Sequence, residues 1–166
     1  MKLIVFSDSH GKTDAMQRII RKHPDAYCFL HLGDGAPSFL TLCRECGVAG
    51  FAVKGNCDFF TGDHLLEKSM TLTFDGIKFF LTHGDAYGVN FSNTRLALAA
   101  KEAGCQVALY GHTHIGESVY LPPVDEQDTP IWIMNPGSIA RPRDGVYSYG
   151  VIEIQNRQIL MNIAKA

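Results

Sequence analysis

No run of apolar residues in this 166-residue chain approaches the roughly 20 that a membrane-spanning helix needs. There is no excess of basic charge either: 15 Lys and Arg stand against 17 Asp and Glu, a formal net charge of −2 at pH 7. A chain so balanced has no bulk positive field to gather a long nucleic acid or an anionic membrane, which leaves short or cyclic phosphoesters open to it. The five cysteines (28, 43, 46, 57 and 105) are odd in number and scattered, which argues against a disulfide framework and suits a reducing, cytoplasmic setting. The stretch Met1 to Asp8 is too short for a signal-peptide core and runs straight into a polar cluster. Repeats, low-complexity tracts and linkers are also missing, so the expectation is one domain over 1–166 with a single sizeable core.

What is present is an alternation of strand and helix signals. Leu3 to Phe6 reads as a buried strand, and an amphipathic helix follows from Thr13, with Met16, Ile19, Ile20 and His23 on one face and Pro24 ending it. A strand over Tyr27 to Leu32, a helix over Ser38 to Cys46 and a strand over Gly50 to Val53 come next. Met70 to Phe74 and Ile77 to Leu81 flank Asp75-Gly76, a strong hairpin signal. Ser92 or Asn93 can cap a helix through Ala103 that Gly104 closes, and Val107 to Tyr110 is another short strand. Strands and turns dominate from Val119 onward, with a surface loop at Pro122 to Pro130 and a hairpin around Gln155-Asn156. The fold class is therefore α/β, and two packed sheets flanked by helices accommodate the pattern.

Six polar clusters sit just after apolar runs: Asp8-Ser9-His10, Gly33-Asp34, Gly55-Asn56-Cys57-Asp58, His83-Gly84-Asp85, Gly111-His112-Thr113-His114 and Asn135-Pro136-Gly137-Ser138. Each alone is an ordinary turn. Together they deliver two carboxylates, one Asn and four His to strand ends, the donor set of a binuclear metal site. Alternation along an extended chain puts Asp8 and His10 on one face, and likewise His112 and His114. Asp34 can reach the same rim and bridge two ions, and Asn56 and His83 add a neutral oxygen and an imidazole. Mixed imidazole and carboxylate donors suit Mn, with Fe, Zn, Ni or Co as alternatives, and there is no thiolate set to select zinc alone.

The order of these motifs, from Asp8 to Ser138, resembles the calcineurin-like metallophosphoesterase superfamily, and more narrowly its small bacterial and archaeal phosphodiesterase branch, which shares its fold with a eukaryotic retromer subunit. The resemblance implies a four-layer α/β/β/α sandwich. It also implies one metal held by Asp8, His10 and His114, a second by Asn56, His83 and His112, and Asp34 bridging them. The activity that follows is hydrolysis of a small phosphodiester by a metal-bridging hydroxide. Phosphomonoester or nucleotide hydrolysis is the alternative within the class, and a non-catalytic interaction scaffold is the alternative outside it. Asp34, Asn56, Cys57 and Asp58 form the expected catalytic group, and Asn56 and Arg143 the expected substrate contacts.

Two positions depart from the family pattern. Many members carry His where this chain has Cys57, and a thiol is a weaker general acid than an imidazole, which predicts a preference for good leaving groups. His64 is a candidate replacement donor. Asp85 stands where relatives in the branch often place a second His after His83-Gly84, and can orient a ligand. Other chemistry-bearing residues read as structural: His31 as a satisfied sheet histidine, His23 as a helix end, and Cys43 with Cys46 as packing near a helix C-terminus. Asn135 to Ser138 read as a tight turn near the site, followed by Arg141 and Arg143. The pocket walls are expected from Phe59 to His64, Tyr87 to Phe91 and Pro122 to Pro130. A homodimer is common at this size, though nothing in the sequence marks an interface.

Overall fold

The alternation of apolar side chains along each strand sets the layering. In a computed structural model that describes residues 1–58 and 66–166, ten strands form two five-stranded sheets accompanied by three α-helices. The first sheet has the order β10-β9-β1-β2-β3, built from β1 (Lys2–Phe6), β2 (Cys28–His31), β3 (Gly50–Ala52), β9 (Ser148–Gln155) and β10 (Gln158–Lys165). The second has the order β4-β5-β6-β8-β7, built from β4 (Ser69–Phe74), β5 (Ile77–Thr82), β6 (Val107–Leu109), β7 (Gly116–Leu121) and β8 (Ile131–Pro136). Strands β1, β2 and β3 are mutually parallel, as are β5, β6 and β8.

Odd and even positions of β1 serve different layers. Leu3 and Val5 join Leu30, Phe79, Leu81, Leu109 and Met134 in the core between the sheets. Ile4 and Phe6 point the other way, against Met16, Ile19 and Ile20 of α1 (Asp14–Lys22) and Phe39 and Leu42 of α2 (Ala36–Cys46). Phe6 is fully buried, its ring 6.3 Å from Phe29 and 6.1 Å from Phe39, and burying such a side chain is worth about 1.5–3 kcal/mol. On the second sheet Phe80, Ala108 and Ile133 turn outward to meet Leu96, Ala97 and Ala100 of α3 (Thr94–Glu102). Helices thus cover the outer face of both sheets, which is the expected four-layer α/β/β/α sandwich.

The predicted elements are all present, with shifted ends. The second helix begins at Ala36 rather than Ser38, because Gly35 (φ 127°) turns the chain and Pro37 fits where no N–H is needed. The final hairpin turns on Asn156-Arg157, both at positive φ, one residue beyond the expected place. Strand β7 starts at Gly116, upstream of Val119. The Pro122 to Pro130 loop leans on α3 through Lys101 Nζ, 2.6 Å from Asp128 Oδ1, and is not among the walls of the clefts beside the candidate site. His64 and the Phe59 to His64 stretch lie outside the described residues. No helix of the described residues is long and apolar enough to cross a membrane.

Candidate metal centre

Every residue of interest follows the carboxyl end of a parallel strand, the place where α/β sheets collect their polar loops. Asp8 lies past β1, Asp34 past β2, Asn56 past β3, His83 past β5 and His112 past β6. The loops are tied to one another by main-chain bonds: Asp8 N–H donates to Gly33 O at 3.1 Å, His10 N–H to Asp34 O at 2.7 Å and Gly111 N–H to His83 O at 3.0 Å. The two sheets therefore present their loops to a common centre.

The backbone there is unusual. Of the eight non-glycine residues with positive φ among the described residues, three belong to hairpin turns and the other five are Asp8 (53°), His10 (47°), Asp34 (57°), His112 (68°) and His114 (60°). Asp and His tolerate this region better than most residues, and such conformations gather at functional sites. The pairing of Asp8 with His10 therefore owes nothing to strand alternation; tight left-handed turns aim both side chains. Alternation also fails for His112 and His114, which join different groups.

His114 Nε2 lies 3.1 Å from Asp8 Oδ1, and Asp8, His10 and His114 have ligand atoms all within 4.8 Å of one another. Asp8, Asp34 and His83 meet the same criterion, as do His10, Asp34 and Cys57. Asn56 Oδ1 is 3.0 Å from His83 Nε2 and 3.1 Å from His112 Nδ1, and those two nitrogens are 3.3 Å apart. Asp34 stands between the groups, its Oδ1 3.6 Å from His83 Nε2. The seven residues named from the sequence are thus brought together in two groups about Asp34.

The polar atoms here ask for cations. Asp8 is fully buried and Asp34 nearly so; among the described residues buried His10 Nε2 has no hydrogen-bond partner, and Asp8 Oδ1 has His114 Nε2 at 3.1 Å, a contact that bonds only when that nitrogen carries a proton. Unpaired buried groups of this kind are costly unless a ligand satisfies them. His83 Nδ1 is 2.7 Å from Leu32 O, which places its proton there and leaves the Nε2 lone pair facing the Asn56 oxygen. His114 Nδ1 meets Arg141 O at 2.6 Å, so its Nε2 lone pair faces a carboxylate oxygen unless a proton or metal ion lies between them. Burial pushes the Asp8 carboxyl up, but His114, His83 and Ser7 (Oγ to Oδ2, 2.6 Å) hold it below its usual range. Burial depresses His10 and His112, favouring the neutral, ligating form, whereas contact with Asp8 raises His114. The donor set fits divalent metal ions.

The remaining predicted residues sort by distance from this centre. Cys57 is exposed; its N–H donates to Asp34 Oδ1 at 2.7 Å, and its thiol, bonded to the Asp34 carboxylate and partly buried, is pushed up to about 11. It stays protonated at neutral pH. Asp58, expected in the catalytic group, accepts N–H bonds at its carboxylate from Asp34 (3.0 Å), Gly35 (2.7 Å) and Gly55 (2.9 Å). These bonds hold the Asp34 loop against the loop after β3. Arg143 lines a cleft with Val89, Asn90, Thr113 and Glu117, while Arg141 lines a separate pocket with His10, Asp34, Ser38 and Cys57. The tight turn expected at Asn135 to Ser138 is not found there, because β8 runs on through Pro136 with Asn135 and Pro136 paired to Glu117 and Gly116 of β7; Asn135 and Ser138 are fully buried, Ser138 Oγ donates to Asp8 O at 2.9 Å, and Asn135 Nδ2 to Gly111 O at 2.8 Å.

His31, read as a sheet histidine, is fully buried; it braces the Gly33 loop by accepting Gly33 N–H at Nδ1 (3.2 Å) and meeting Ser9 Oγ at 3.0 Å. Cys43 packs in the helix–sheet layer, its thiol pushed up to about 12 by burial. Asn90 was not singled out in the sequence. Its amide lies 3.0 Å from His112 Nε2, across 22 residues of chain and with no local pattern to reveal it.

A family model for the calcineurin-like phosphoesterase superfamily domain matches residues 1–157. YsnB of Bacillus subtilis (strain 168), named as a metallophosphoesterase, is 31% identical over 94% of this chain and 86% of its own. The phosphodiesterase YfcE of Escherichia coli (strain K12) is 30% identical over 92% of this chain and 88% of its own. The crystal structure of a predicted phosphoesterase from Streptococcus pneumoniae TIGR4 superimposes with a TM-score of 0.77 at 26% identity, covering 99% of this chain and 88% of that one. The chain belongs to the calcineurin-like phosphoesterase superfamily.

Proposed function

We propose that this member of the superfamily is a binuclear, metal-dependent phosphodiesterase acting on small phosphodiesters in the cytoplasm. The observation that carries the reading is the convergence of Asp8, His10 and His114 on one side of Asp34 and of Asn56, His83 and His112 on the other, with buried lone pairs turned inward. Asp34 bridges the two groups in this reading. Two divalent ions, manganese fitting the mixed donors, supply Lewis acidity to a phosphoryl oxygen and lower the pKa of water beside it.

The protein's own part is positional. Asp58 fixes the loops of Asp34 and Asn56, Ser7 and His114 keep Asp8 ionised, and the Leu32 and Arg141 carbonyls fix the tautomers of His83 and His114. A phosphoryl group at this centre has room for substituents on both sides, one in the pocket of Ser38, Cys57 and Arg141 and one in the cleft of Asn90, Glu117 and Arg143. Two flanking spaces favour a diester over a monoester. The neutral Cys57 thiol offers no imidazolium to the departing oxygen, so good leaving groups are preferred.

The test compares bis-p-nitrophenyl phosphate with p-nitrophenyl phosphate, using metal-stripped protein with and without Mn²⁺. Metal-dependent turnover favouring the diester supports the proposal. Faster monoester turnover replaces it with a phosphatase reading. Absence of turnover with Mn²⁺, Ni²⁺ and Co²⁺ alike makes the scaffold reading the better one.

A further inference from the structure

An imidazole that presents one nitrogen to a cation must carry its single proton on the other, and that N–H needs an acceptor. His83 and His114 solve this with main-chain carbonyls, Leu32 O at 2.7 Å and Arg141 O at 2.6 Å. A carbonyl can only accept, so the tautomer of both rings is fixed by the fold. His112 has a side-chain neighbour instead. Its Nδ1 turns inward, 3.1 Å from Asn56 Oδ1, and its outward Nε2 lies 3.0 Å from Nδ2, the NH₂ end, of the Asn90 amide.

A primary amide has two faces. With its NH₂ toward the ring, Asn90 donates to Nε2, the imidazole proton moves to Nδ1, and that proton points at Asn56 Oδ1 where a ligand lone pair is needed. With its carbonyl toward the ring, Asn90 accepts Nε2–H and frees Nδ1. Rotation about one side-chain bond interchanges the two. Asn90 is also well placed for this work despite its exposure. The preceding residue, Val89, is buried among Phe80, Leu96 and Tyr110, and a side chain at Gly84 would collide with it (a Cβ there comes within 2.9 Å of Val89 Cγ2). The amide therefore projects from a clamped segment rather than from a loose loop.

We propose that Asn90 is the positioning residue for His112: turned over from the orientation seen here so that its carbonyl accepts Nε2–H, it selects the tautomer in which Nδ1 is a ligand and so sets the affinity of the Asn56–His83–His112 group for a divalent cation. This rests on the two-ion reading above. Among the described residues the hydrogen bond of Asn90 goes to His112 and not to Asp8, His10 or His114, so that group is expected to keep its ion when Asn90 is replaced.

The experiment is calorimetric titration of Mn²⁺ into metal-stripped full-length protein, comparing wild type with Asn90→Ala, Asn90→Asp and Leu160→Ala. Leu160, 55% exposed on β10, serves as the control. Wild type and Leu160→Ala are expected to bind two ions alike. Asn90→Ala should keep one site and weaken the other by about 10–100-fold, the usual cost of losing the partner of a ligating histidine. Asn90→Asp offers acceptors only and should restore the weakened site or tighten it. An unchanged isotherm for Asn90→Ala, or an Asn90→Asp variant as weak as the alanine one, overturns the proposal. Fewer than two ions on the wild type overturns the two-metal reading itself, and the proposal with it.

Discussion

Gly55 packs so closely on Asp34 that a Cβ at position 55 would overlap both the backbone nitrogen and the Oδ1 of Asp34. The loop after β3 and the loop after β2 touch through bare backbone, and this contact lets Asp58 reach the N–H groups of Asp34, Gly35 and Gly55 together. Gly55→Ala should displace the Asp34 carboxylate, because neither obstructing atom is the free end of a flexible chain. Overpacking of this kind costs about 1–3 kcal/mol, and a displaced bridging carboxylate should cut Mn²⁺-dependent diester turnover by roughly 10²-fold. Kinetics together with a urea melt of the metal-stripped variant check both. Activity within a few-fold of wild type would mean that the Asp34 position is not critical.

Asp58 makes the complementary prediction about stability. Its carboxylate satisfies three buried N–H groups, and unpaired buried donors cost about 1–3 kcal/mol each. Asp58→Ala should lower the unfolding free energy of the metal-stripped protein by about 3 kcal/mol or more, and Asp58→Asn by less, since one oxygen remains. If the alanine variant unfolds at the same urea concentration as wild type, water replaces those bonds and the positioning role falls.

His31 gives a pH dependence with a definite sign. Burial depresses it from an ordinary 6.5 to about 3, so the folded protein keeps this ring neutral while the unfolded chain protonates it below about 6.5. The unfolded state then binds the extra proton, and stability falls as pH drops through that window, on the order of 1 kcal/mol by pH 5.5. His31→Gln can still accept Gly33 N–H and donate to Ser9 Oγ, yet cannot titrate. Urea melts with chelator at pH 7.5 and 5.5 should show the wild type losing more stability than the variant. Equal losses would place the proton elsewhere.

That these polar residues would gather at strand ends was legible in the sequence, because each cluster follows an apolar run. The Asp75-Gly76 hairpin was legible for a local reason, two residues that accept positive φ between two strands. The way Asp8, His10, His112 and His114 are aimed was not, because their left-handed turns depend on loops from other strands packing beside them. That the Asp58 oxygens accept three N–H groups of the neighbouring loops was not legible either, because those loops meet only in the folded chain. Asn90 and His112 are joined by folding alone, and no spacing rule connects them.

The proposed phosphodiesterase activity gives Cys57 a testable part in leaving-group selectivity. Its side chain is exposed beside Asp34 and Asn56, lining the pocket with Ser38 and Arg141, and bonding to Asp34 together with burial pushes it up to about 11. A thiol so placed is neutral at pH 7 and gives up its proton reluctantly, so it contributes little to the departure of a basic alkoxide. A p-nitrophenolate leaves without that help. Cys57→Ser, which keeps a small neutral donor, should therefore leave bis-p-nitrophenyl phosphate turnover within a few-fold of wild type. Cys57→His puts a group titrating near neutrality at the same place, and proton donation by such a group is worth up to about 10²-fold or more where the leaving oxygen needs it. The informative quantity is a ratio: turnover of an alkyl or phenyl diester divided by that of the p-nitrophenyl diester should rise at least about tenfold in Cys57→His and stay constant in Cys57→Ser. A flat ratio in both would place proton delivery at another residue and remove Cys57 from the reaction.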